Sequence, residues 1–156
     1  KKLRVHFWDK QFCFRQIPYW PIHNHSFEFS SLVLKGVIQN KKYKLNLVGS
    51  EKNECFKYKV SYDGEKSIIN CNGVVYPRVD VVERVRAGEI YSMESSTYHR
   101  SRCLTENAIT LMATKVSDPV SDVFTLGRGN LNQLTFDRSI DLSKNYVDYV
   151  LNHLFF

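Results

Sequence analysis

The sequence predicts an all-β domain, a small sandwich or barrel, followed by one C-terminal α-helix. Three observations carry this. Apolar residues recur at every second position over most of the chain, the spacing of half-buried strands. Turn residues divide that pattern into roughly nine or ten short runs, the pattern of a sandwich or barrel. From Asp141 onward the apolar spacing becomes helical.

Residues 3–8 alternate as Leu-Arg-Val-His-Phe-Trp and read as a first strand. Pro18 and Pro21 make residues 9–22 an irregular approach to the next one. Residues 23–34 form a long β-rich run ended by Gly36, and residues 43–48 follow. A polar loop over 49–54 precedes a strand over 56–62, which stops at the hairpin signal Asp63-Gly64. Short strands over 67–70 and 74–75 flank Asn72-Gly73, read as a turn, and another strand covers 79–85. Ala87-Gly88-Glu89 is a turn, and strands over 89–93, 97–102 and 108–116 complete the body. Residues 126–130, which include Gly127-Arg128-Gly129-Asn130, read as a flexible loop. A phosphate cradle there lacks the preceding strand and following helix it would need. Asp141 or Ser143 caps a helix over about 141–154, with Leu142, Tyr146, Val150 and Leu154 on one face. The chain thus reads as one domain over 1–156, its β body over about 3–136.

Composition excludes several function classes. With 43% hydrophobic and 13% aromatic residues the chain can bury a core, which rules out a collagen or a disordered tail. No window reaches the ~18 apolar residues of a membrane helix, so no membrane partner is expected. The net charge is +6, from 22 Lys+Arg against 16 Asp+Glu, which raises a nucleotide or nucleic-acid binder as the weakest reading. Against it, Lys42 and Lys44 alternate with Tyr43 and Leu45, as on a solvated outer strand face. Cys13, Cys55, Cys71 and Cys103 include no Cys-x-x-Cys pair, which excludes a zinc knuckle and a thioredoxin motif. No signal peptide is visible after Lys1, so reduced, mostly buried thiols and a cytoplasmic location are expected. Serine-hydrolase, P-loop and His-Glu-x-x-His patterns do not occur, and His6 and His153 read as ordinary residues.

The chemistry concentrates in His23-Asn24-His25. On a strand, residues two apart leave the same face, so both imidazoles project together as the first two ligands of a metal. Gly88, a strand, a bend and His99 then form an excursion that returns a third imidazole to the pair. Phe27, Phe29 and Ser31 share the face of the first histidines, and Ser101 and Cys103 share the face of His99. They are expected to line a substrate pocket together with Tyr91. Tyr98, a phenolic donor, and Arg100 flank His99 as candidate catalytic groups, although parity turns Arg100 outward.

These motifs resemble the cupin superfamily over residues 20–116. The first motif is matched by His23, His25, possible ligand Glu28 and the strand-ending Gly36, the second by Gly88 and His99. The usual proline and glycine of the second motif are Glu94 and Ser96, and its asparagine is Cys103. The resemblance implies a double-stranded β-helix, a jelly-roll barrel around a divalent metal. A set of three histidines is most similar to that of the cysteine dioxygenase-like thiol dioxygenases. That implies Fe(II), with Zn or Ni as alternatives, and oxygenation of a small polar substrate, a thiol included. Strand parity places Glu28 opposite the histidines, so only a bulge would make it a ligand. The alternative from another class is a non-catalytic cupin-like module that binds or senses a small molecule. Barrels of this kind also dimerise through edge strands, and a homodimer is an open possibility.

Overall fold

The computed structural model describes residues 2–9, 19–116, 122–129 and 131–137. The predicted helix over 141–154, Cys13 and His153 lie outside the described residues. Eleven strands are formed: β1 (Lys2–Asp9), β2 (Ile22–His23), β3 (Glu28–Lys35), β4 (Val37–Asn46), β5 (Cys55–Asp63), β6 (Lys66–Arg86), β7 (Ile90–Met93), β8 (Tyr98–Cys103), β9 (Asn107–Lys115), β10 (Val123–Gly127) and β11 (Gln133–Asp137). A single 3-10 turn, Glu51–Asn53, joins β4 to β5 and is the only helical element among the described residues.

The strands form two antiparallel sheets. One has the order β1-β9-β3-β7, the other β11-β6-β4-β8-β2-β10-β5. Because β5 also pairs with β6, the hydrogen-bonded circuit β6-β4-β8-β2-β10-β5 returns to its start. Among the described residues the body is built of strands, as expected. β3 shows why: Phe29, Ser31 and Val33 are buried, while Ser30 is exposed, Leu32 half-buried and Leu34 exposed. Phe29 and Val33 join Ile38, Val85, Tyr91, Met93, Ala108 and Met112 in the core, with Trp8, Phe27 and Cys103 packed against it. Gly36 makes the tight β3–β4 turn at φ +79, where a Cβ would run into the Asn107 carbonyl and Ala108.

Four expectations about elements need correction. The run over 23–34 is broken: β2 ends at His23, and residues 24–27 leave the ladder before β3 begins. The strands expected over 67–70, 74–75 and 79–85 are one strand, β6, of 21 residues. Asn72-Gly73 is no turn, because the two residues bulge out opposite Lys57, with Gly73 at φ +100. A second bulge leaves Asp80 between Val79 and Val81, which face Tyr43 and Lys42, and Asp80 takes the Lys44 ammonium at 3.0 Å. The strand expected over 43–48 begins earlier, at Val37, and covers Lys41 and Lys42. The stretch over 126–130 is no loose loop where it is described. Leu126 and Gly127 end β10, Gly127 lies against the Trp20 ring, and the Gly129 carbonyl accepts the Tyr58 hydroxyl. Trp20 itself stacks on Tyr58 with ring centroids 4.4 Å apart.

Candidate metal centre

His23 and His99 are direct partners across the β2–β8 ladder, so their side chains leave one face. His25 follows two residues after β2 ends, in the segment that crosses to the other sheet. Asn24 fixes that crossing. It is 2% exposed, and its backbone N–H donates to the Phe124 carbonyl at 3.1 Å. Its side chain accepts the Phe124 N–H at 2.6 Å and donates to the Asp122 carbonyl at 3.2 Å. From the other side, the Ser96 N–H donates to the His25 carbonyl at 3.0 Å. Ser96 stands where the resembled motif carries glycine, and it takes the left-handed φ of +67 that glycine favours.

The three imidazoles meet. Ring centroids are 4.9 Å apart for His23–His25, 4.8 Å for His23–His99 and 5.1 Å for His25–His99. One ring nitrogen from each lies within 4.8 Å of the others. A bound metal brings ligand nitrogens to about 3–3.4 Å, so closure onto an ion takes about an ångström of side-chain rotation. His23 Nδ1 lies 3.2 Å from the Pro21 carbonyl, and His99 Nδ1 lies 3.1 Å from that of Thr97. A carbonyl only accepts, so Nδ1 carries the proton in each neutral ring and the Nε2 lone pair stays free. This is the arrangement that orients metal-binding histidines.

Electrostatics agree with the geometry. Burial, with the neighbouring imidazoles and the more distant Arg4 and His6 adding to it, pushes the pKa of His25 down to about 3. Burial and His23 push His99 down to about 4 although the Thr97 carbonyl opposes the shift, and burial also lowers His23. All three rings are therefore neutral at physiological pH, the state a metal requires. His25 stacks on Phe27 at 4.7 Å and meets the edge of Phe29 at 5.5 Å, while Phe29 lies 5.9 Å from His99. Two aromatic rings thus line one side of the centre.

The structure separates the other predicted residues. Glu28 is not brought to the triad: no bulge interrupts β3 there, and its carboxylate pairs with Lys115 across the β3–β9 ladder at 2.8 Å. Arg100 does face away from His99, with its guanidinium 3.5 Å from the Tyr19 hydroxyl. Tyr98 lies opposite Tyr43, its phenol pushed up to about 12 by burial, and lines a separate cleft of about 880 Å³. Neither flanking residue touches the imidazoles. Tyr91 is buried opposite Ser31, meets Phe29 edge-on at 6.1 Å and sets its phenol against Ser31 and Thr110. Ser101 donates to Asn40 Oδ1 at 2.6 Å. Cys103 is turned to Thr105, its thiol 3.1 Å from the carbonyl, and packs on the core rather than on the site.

Some residues escaped the sequence reading. Asn24 is the middle residue of His-x-His, and its amide, able both to donate and to accept, was the only signal. Arg4 lies over the Phe27 ring at 5.6 Å. Lys42 corrects the outer-face expectation: it is the direct partner of His99 on β4–β8, shares its face, and reaches the Ser92 carbonyl at 3.4 Å. Lys44, further along, is exposed as expected. Alternation alone could not tell which side of β4 is the interior, because both are partly covered.

Among the described residues, two antiparallel sheets carry three convergent histidines that can hold a metal ion. No protein-family model matches the chain, and no curated protein matches it.

Proposed function

We propose that the chain is a cupin-type double-stranded β-helix that binds a divalent transition metal, Fe(II) in preference to Zn or Ni, and oxygenates a small polar substrate, a thiol among the candidates. One observation carries the reading: three neutral imidazoles from two backbone segments, His23 and His25 on one and His99 on the other, converge with no carboxylate among them in the described residues. An all-imidazole set suits Fe, Zn and Ni alike, and three ligands on one side leave positions open. Bound there, Fe(II) would supply those positions to a substrate donor atom and to dioxygen.

The chain's own residues do the rest. The Pro21 and Thr97 carbonyls hold the His23 and His99 rings in one tautomer. Asn24 and Ser96 fix the backbone on either side of His25. Phe27 and Phe29 pack on the His25 ring and give that side of the centre an apolar wall. The same reading places the protein in a reducing cytoplasm, in keeping with the free thiols of Cys55, Cys71 and Cys103.

The test is oxygen uptake by iron-loaded protein given cysteine, cysteamine or 3-mercaptopropionate. The expected result is consumption of dioxygen and thiol in equal amounts, lost in His25→Ala. Silence across the panel with stoichiometric iron bound counts against the thiol oxygenase and favours the binding module. Failure to hold iron removes the iron-oxygenase reading.

A further inference from the structure

Directly beside the triad, the interior carries polar side chains that the protein itself leaves unsatisfied. Ser101 lies two residues beyond His99 on β8 and so shares its face. Ser101 pairs with Asn40 across β4, and Asn40 pairs with Glu83 across β6. Paired residues of antiparallel strands leave one face, so Ser101, Asn40 and Glu83 form a row next to His99, Lys42 and Val81. Asn40 is fully buried at 0% exposure, and its Oδ1 takes the Ser101 hydroxyl at 2.6 Å. Its Nδ2, however, is buried without a partner among the described residues, and so is Glu83 Oε2 beside it. From the other sheet, Tyr91 lies close enough to Glu83 to feel its charge.

A buried amide N–H and a buried carboxylate oxygen without partners are each costly, and native structures rarely keep both in one place. The orphan pair consists of one donor and one acceptor. A single group that accepts from Asn40 and donates to Glu83 satisfies both. A hydroxyl does this through one oxygen, whereas an ammonium only donates and a carboxylate only accepts.

We infer that Asn40 and Glu83 are the recognition pair for a hydroxyl group of a small molecule bound between the sheets beside the triad. The inference deepens the proposed function by adding a class of substrate, and it rests on that reading only for what the bound molecule undergoes. An enclosed water could fill the same two valences, and the test separates the two.

The experiment is calorimetric titration of metal-free and zinc-loaded protein with 3-hydroxypropionate, propionate and β-alanine. The carboxylate is common to all three and cancels. The hydroxy acid is expected to bind at least tenfold more tightly than the other two. That margin should fall below twofold in Glu83→Leu and in Asn40→Leu, while both variants still take up zinc in wild-type amount. Equal affinity for the three acids, binding of none, or a margin that survives both substitutions overturns the inference and leaves water as the partner. Should Asn40→Leu fail to fold for want of the Ser101 acceptor, Glu83→Leu alone decides. A wild-type protein that takes up no zinc counts against the metal centre instead, and the metal-free titration still reads the pair.

Discussion

Asn24 does at the residue scale what neither neighbouring histidine can do for itself. Its buried amide ties the backbone between His23 and His25 to Phe124 of β10 and to Asp122 just before it. Truncation leaves the Phe124 N–H and the Asp122 carbonyl without these part-buried hydrogen bonds, so Asn24→Ala should cost about 1–2 kcal/mol in urea unfolding. It should also weaken metal binding by about 10–100-fold in a chelator competition, the usual effect of losing an outer support. A stable variant of unchanged affinity would show that His25 needs no such anchor. Ser96 is the opposite case. A non-glycine residue at φ +67 is strained by roughly 1 kcal/mol, so Ser96→Gly should leave metal content unchanged and raise stability by up to that amount. The histidines were legible in the sequence because their chemistry is local: a two-residue spacing, and a glycine-to-histidine interval that fits one hairpin. Asn24, Asn40 and Glu83 were not, because what distinguishes them is which strand lies opposite.

At the scale of elements, regular strands read well and irregular ones did not. β7, β8 and β9 begin and end within a residue or two of expectation, because alternation and flanking turns agree. β6 read as three pieces, since Asn72-Gly73 is a turn signal that the neighbouring strand converts into a bulge. β10 and β11 carry no clear signal in the sequence. Each is only five residues long, and their partners, β2, β5 and β6, are remote in sequence. The Gly36 turn shows how one backbone position sets the relation of two strands. With a positive φ and the Asn107 carbonyl in the way, Gly36→Ala should destabilise the fold by more than about 1 kcal/mol in denaturant unfolding. An unchanged midpoint would mean that the β3–β4 turn relaxes freely.

For the whole molecule, the depressed histidines link folding to pH. In the unfolded chain an imidazole titrates near 6.5, whereas His25 titrates near 3 and His99 near 4 in the metal-free fold. Between those values the unfolded chain binds more protons, so stability rises with pH across that window. The metal-free protein should therefore be most stable above about pH 6.5 and melt at progressively lower temperature as pH falls toward 4. A melting temperature that stays flat from pH 7.5 to 4.5 would contradict the burial of these rings. Metal works in the same direction. An ion that binds only the folded chain stabilises it by about 2.7 kcal/mol at a hundred times its dissociation constant.

The most direct test of the central claim is X-ray absorption by the iron-loaded protein, combined with metal analysis. The expected result is stoichiometric iron with three imidazole nitrogens at about 2.0–2.2 Å, reduced to two in His23→Ala, in His25→Ala and in His99→Ala alike. Substoichiometric metal, or a first shell without imidazole scattering, would contradict it.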